Sequence, residues 1–465
     1  MRRRFAAGLA GCAVLAIAGP SAAQPDGACN VTAYGARGDG RTLATLAIQR
    51  AIDACAARGG GVVLLPSGVF LSGTVVLRDR ITLRIAPGAV LLASPRIEDF
   101  RPLPPEDVPK IAIDGSTQNK GNGPYHLIHA EGVHDVAVDG GGEIRGNGRA
   151  YWDTAADGRL LSRRPRPSPL IETIGARAVR IENVAITGAA GWTVHPLESD
   201  GVSIRQVRIF NDPLGPNTDG IDVDSSRNVV ISDVHIEAGD DCVVLKTTGR
   251  RGGKVAPTEN VLVSNLVCST QNQGFKIGTE SLGDFRNIVL NGATIFQAPG
   301  FARPATTAIS MSMVDGASFE NVIVSNVTIR DAHTPIFLRL GNRGRGQARP
   351  TPGSLKHVIF SNIVATGGDL ASSITGIPGH PVEDVSLSDV SLTMRGGGAA
   401  AAARPPEAEG DYPHAPMFGP LPAYGLYARH VRGLTLRNVR LQTHAADARP
   451  PMVLEDVEPA VHPLP

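Results

Sequence analysis

Apolar and polar residues alternate with a period of two along most of this chain, the pattern of strands with one buried face. A turn-forming or polar residue followed by a short alternating run, mostly Val, Ile or Leu, begins at Asp135, Asn183, Gly201, Asn228, Asn260, Asn287, Asn321, His357, Asp384 and Gly433. Each is followed by a turn and a second short strand, and the starts lie roughly 18 to 50 residues apart, often near 27. One such unit cannot bury its apolar face alone, so a core forms only when units stack. The pattern predicts an all-β chain wound as one right-handed parallel β-helix. Asn265, Asn326, Asn362 and Asn438 recur just after the first strand of their units. Asn tolerates the left-handed backbone of a tight turn and its amides stack along a column, so these residues are assigned to the scaffold.

The period changes only near the start. Leu43 to Ala57 has helical spacing and ends in Arg58-Gly59-Gly60-Gly61, a stop signal. Strands are expected after it at 61–65, 69–77, 81–85 and 89–92, preceded by a turn-rich loop at Tyr34–Gly40. One amphipathic helix followed by strands predicts a cap over the first open edge of the solenoid, spanning residues 24–95. Met1–Ala23 stands apart: Arg2 to Arg4, the apolar run from Phe5 to Ala18, and Ser21-Ala22-Ala23 read as a secretory signal peptide. Leu9-Ala10-Gly11-Cys12 offers a lipoprotein reading of the same segment. The domain at 24–465 is therefore expected in the periplasm or outside the cell, with no membrane span. Insertions at Phe100–Gly123, Thr154–Pro169, Gly341–Pro352 and Gly396–Tyr424 interrupt the repeats and are expected to wall a groove. The Gly-, Ala- and Pro-rich residues of the last, 396–424, suggest a long loop without a fold of its own.

Composition agrees: 54 Gly, 35 Pro and 4% aromatic residues suit long thin β structure better than a bulky core. A net charge of +1 argues against nucleic acid as a partner held by bulk field. Any charged ligand needs a local cluster. In an oxidising compartment the four cysteines beyond the signal suggest two disulfides. Cys29 with Cys55 and Cys242 with Cys268 are each about one repeat apart, which favours those two pairings among the three possible.

The densest chemistry lies between Asn217-Thr218-Asp219-Gly220 and Gly239-Asp240-Asp241-Cys242. Between them runs an alternating apolar stretch, so the chain leaves Asp219, makes about one circuit and returns with two more carboxylates. Stacked coils lie about 4.8 Å apart, which brings three acids to one patch. Like charges so close cannot all ionise cheaply, and one carboxyl keeps its proton near neutral pH. A protonated carboxyl beside a carboxylate is the equipment of glycoside hydrolysis. Neighbours on a strand point to opposite faces, so Asp240 and Asp241 can share a site only at a strand end or irregularity, for which Gly239 is the candidate.

At these two motifs the chain resembles glycoside hydrolase family 28, the polygalacturonase and rhamnogalacturonan hydrolase family. Gly38-Asp39-Gly40, Gly146-Asn147-Gly148 before Tyr151-Trp152-Asp153, and Trp192-Thr193-Val194-His195-Pro196 extend the likeness over most of the domain. The resemblance implies an inverting hydrolase of pectic polysaccharide or oligosaccharide that uses three aspartates and no metal or cofactor; the chain is expected to be a monomer. Asp240 would be its general acid, with Asp219 and Asp241 holding the water; an inverting pair is expected about 6.5–9.5 Å apart. Two family features are missing. Gly-His-Gly is replaced by Asn272-Gln273-Gly274, and no Arg or Lys stands between Thr307 and Gly316 where an Arg-Ile-Lys would grip a uronate.

Lys276, between apolar Phe275 and Ile277, and Arg339 are the candidate replacements, with Asn217 and His195 as further substrate contacts. Lys246 lies close enough to the acidic strand to join them. Arg343 and Arg345 read as surface charge, and Asp222, Asp224 and Asp233 as turn or surface carboxylates. Two other functions fit the scaffold: a polysaccharide lyase, which needs Ca²⁺ and a basic residue, and a non-catalytic carbohydrate-binding β-helix. No Arg or Lys beside the acidic pair reads as the lyase base, and a mere binder has no reason to gather three carboxylates.

Overall fold

The computed structural model describes residues 27–104, 123–248, 255–400 and 404–459. The expected signal peptide and most of the insertion after Phe100 lie outside them. Successive coils stack their strands in parallel and in register. Val229, Val261, Ile288, Val322, Val358, Val385 and Leu434 form one interior column, a residue per coil. All seven are buried, at 5% exposure or less. Each such side chain removed from water contributes roughly 1.5–3 kcal/mol, so this column is one of those that hold the coils together in a single continuous core.

From Arg227 onward the expected strand-turn-strand units are single long strands bent in the middle. Thr258–Thr270, Ser318–Arg330 and Ser354–Gly368 bend at Asn265, Asn326 and Asn362, whose φ values of 52°, 59° and 54° are left-handed. Asn362 donates its amide to Asn326 Oδ1 at 3.1 Å and Asn326 to Asn291 at 2.7 Å. Asn265 and Asn438 donate in the same way to Asp233 and Asp389. The amide column expected from sequence is present, with aspartates filling some rungs. A parallel column joins Asn228, Asn260, Asn287 and Asn321.

At the first end, the helix Thr45–Ala57 turns Ala47, Ile48, Ala51, Ile52 and Cys55 inward against the opening coil. The predicted loop ends early, because Asp39–Leu43 is a strand paired with Gly68–Ser72. The expected 69–77 strand is interrupted, giving Gly68–Ser72 and Val75–Val76. No described helix is long and apolar enough to cross a membrane. The described part of the 396–424 stretch holds only a short turn of 3₁₀-helix, Ala415–Phe418. It is pinned by Phe418 and Leu421 packing with Phe337 and Tyr427.

Candidate active site

Asp219 precedes the strand Ile221–Asp224, while Asp240 and Asp241 fill the corner between Arg227–Ala238 and Val243–Thr247. The corner removes the strict alternation that would have sent these neighbours to opposite faces. Gly220 donates its N–H to Asp241 O at 2.9 Å, and Ile221 to Cys242 O at 2.9 Å, which sets the two motifs side by side in adjacent coils. Both motif glycines are needed for this approach. A Cβ on Gly239 would stand 2.6 Å from Asp212 O, Gly215 O and Thr218 Oγ1, and one on Gly220 would stand 2.5 Å from Cys242 O. The Cys242–Cys268 disulfide ties the corner to the following coil.

One oxygen from each of Asp219, Asp240 and Asp241 lies within 4.8 Å of the others. This is closer than the inverting spacing expected from sequence. The three carboxyls are held differently. Asp240, the most accessible, accepts from Asn272 Nδ2 and from the Asp241 N–H at 3.0 Å on one oxygen, and from Asn217 Nδ2 at 3.4 Å on the other. Asp241 takes Lys276 Nζ on Oδ2 at 2.8 Å, and Asp219 Oδ2 stands 3.7 Å from Lys246 Nζ. The remaining oxygens, Oδ1 of Asp219 and Oδ1 of Asp241, are buried without a hydrogen-bond partner. The same cluster could hold a small cation, although two lysines already sit on two of its members.

Burial pushes Asp219 well above the carboxylate range, helped by Asp222 and Asp240. Asp241 is raised by burial to about 6 against the pull of Lys276. Burial opposes charge on Lys276 and Lys246, but the neighbouring aspartates outweigh it and keep both ammonium groups charged. Lys246 lies 2.7 Å from Asp222 Oδ1 and caps the Trp192 ring at 3.5 Å.

Several candidates sit elsewhere than expected. His195 has no exposed side-chain surface; it lies between Glu172 at 2.9 Å and Asp224 at 3.4 Å, so it supports the floor of the site and does not reach a sugar. Arg339 is 1% exposed and donates to the carbonyls of Gly376, Glu407 and Ala408, anchoring the 404–424 stretch. Asp222 and Asp224 are fully buried, not on turns at the surface, because Lys246 lies over the first at 2.7 Å and His195 and Thr248 over the second. Arg343, read as surface charge, is 8% exposed and pairs with Asp315. Arg345 stands 3.5 Å from Glu280. Cys29 and Cys55 are buried thiols, both contacted by the Arg58 guanidinium, where a second disulfide was expected. Glu172, missed by the sequence reading, carried a signal: it is an acid inside the apolar run Leu170–Ile174.

A parallel β-helix that gathers three aspartates at one corner has the build of a class, the carbohydrate-active solenoids. Within it, the model of glycosyl hydrolases family 28 matches residues 104–408, and that of rhamnogalacturonase A/epimerase, pectate lyase-like, matches 28–90. The chain belongs to glycosyl hydrolases family 28 and is a glycoside hydrolase acting on pectic material. It is 27% identical over 376 residues to a Vitis vinifera sequence named "Probable polygalacturonase", covering 78% of this chain and 73% of that one. An endo-polygalacturonase of Pectobacterium carotovorum subsp. carotovorum is 27% identical over 297 residues, 62% of this chain and 70% of the relative. Among solved structures, an exopolygalacturonase from Thermotoga maritima superposes with a TM-score of 0.65 at 25% identity, covering 80% of this chain and 88% of that one.

Proposed function

We propose that the protein hydrolyses a galacturonate-containing pectic chain with inversion, Asp240 protonating the leaving oxygen while Asp219 and Asp241 hold the attacking water. The observation that carries this reading is the pair of buried, unpartnered oxygens on Asp219 and Asp241. A free oxygen on each of two acids whose carboxyls approach within 4.8 Å suits a water held between them. A covalent nucleophile needs one free oxygen and has no use for a twin. The close spacing of the acids resembles the retaining geometry of about 5–5.5 Å, and a free oxygen on each of two acids weighs against it. Asp240 is the most accessible of the three, which suits the group that meets the departing sugar.

The polygalacturonase names of the relatives support galacturonan as the substrate class, and the signal-like segment Met1–Ala23 supports export. Asp240→Asn tests the assignment. The variant is expected to bind pectic oligosaccharides and to lose turnover about a thousandfold, within the range for a missing general acid. Turnover within a few-fold of the parent would contradict it.

A further inference from the structure

Lys276 sits on the coil after Asp241, in register with Val244 on one side and Ser310 on the other. The side chains of Lys276 and Asp241 are 7% and 3% exposed, and their contact of 2.8 Å involves Oδ2 alone. A lysine that gripped substrate would turn N–H bonds to the groove; this one is covered and spends its charge on the protein. A carboxyl group turns easily about its last bond, so fixing one oxygen fixes the aim of the other. That other oxygen, Asp241 Oδ1, is buried and unpartnered.

We propose that Lys276 is a positioning residue for hydrolysis: by pinning Asp241 Oδ2 it aims Oδ1 at the attacking water and keeps this carboxyl available as a base. The inference rests on the reading of Asp241 as a water-holding base. The ionisable groups facing the pair are Asp219, Asp240 and Lys246 toward Asp241, and Tyr412 and Glu280 toward Lys276. Glu280 is itself faced by Lys246, Arg343 and Arg345. Burial already raises Asp241 to about 6 with the lysine present, so losing the ammonium raises it further. A base works only when ionised, so activity falls as pH drops through its pKa. Without Lys276 that fall occurs at higher pH.

The test is kcat/KM against pH for the full chain, Lys276→Met and Lys276→Arg, on mixed pectic oligosaccharides, with thermal melts at the same pH values. The acid limb of Lys276→Met is expected to move up by about one to three pH units, with the loss falling on kcat and deepest in acid. Lys276→Arg is expected to restore most of the limb. A loss by the same factor at every pH, or one carried by KM alone, overturns the proposal in favour of a structural or substrate-gripping lysine. An Asp241→Asn variant that keeps its turnover removes the underlying reading and this inference together.

Discussion

Replacing Lys246 with methionine removes one charge from the buried cluster while nearly keeping the side-chain volume. The ammonium lies 2.7 Å from Asp222, 3.7 Å from Asp219 and 3.5 Å from the centre of the Trp192 ring. Asp222 is fully buried, and Asp219 and Lys246 are 3% and 4% exposed, so water screens little of the interaction. Breaking one side of such a pair costs about 3–5 kcal/mol, chiefly because the surviving charge is left without compensation. Burial raises the pKa of both aspartates, and Lys246 is among the groups that pull them back down. Both already bind protons more tightly in the folded than in the unfolded chain, and without Lys246 the difference grows. Stability then declines as pH rises through the folded values.

The Lys246→Met deficit should therefore be largest at about pH 8 and shrink toward about pH 5, where protonation neutralises the orphaned acids. Denaturant melts of parent and variant at the two pH values measure it. Lys246→Met/Asp222→Asn should recover most of the loss, since neighbours in one network are not additive. Equal deficits at both pH values, or a deficit under about 1 kcal/mol at the higher one, would refute the reasoning.

Gly239→Ala must shift the backbone that carries Asp240, so steady-state kinetics should show kcat reduced about a hundredfold with KM little changed. Cys268→Ser opens a cross-link spanning 26 residues. By the chain-entropy relation that is worth about 3.5 kcal/mol, read as a lower melting temperature that reductant reproduces in the parent. Asn326→Ala leaves a left-handed residue without its amide and breaks two rungs of the column. A loss of about 2 kcal/mol is expected in denaturant melts, with kcat unchanged.

The solenoid was legible because its signals are local. A period of two fixes which residues face inward, and a turn-forming Asn at the same place in several units fixes the bends. The meeting of Asp219 with Asp240 and Asp241 was legible for a related reason, since one circuit of chain separates them and coils stack at a fixed distance. Alternation says which face a side chain takes but not what lies over that face. Asp222, Asp224 and His195 do point away from the apolar interior, and they are buried all the same, which turned an expected surface into an ionic floor. Arg339 failed for the same reason: its partners are backbone carbonyls near residue 407, a stretch whose composition predicts no fold. The two free thiols show a further limit. Cys29 on the first strand and Cys55 on the cap helix do meet, as their spacing predicts, but as buried thiols that Arg58 also reaches.

The central claim is that Asp219 and Asp241 deliver water directly to the sugar while Asp240 protonates the leaving oxygen. Proton NMR of the first product formed from a defined oligogalacturonide, recorded before the anomers equilibrate, tests it most directly. The account predicts a reducing end of configuration opposite to the bond cleaved. A product of retained configuration would make one of the aspartates a covalent nucleophile and contradict it, and an unsaturated product would replace hydrolysis with elimination.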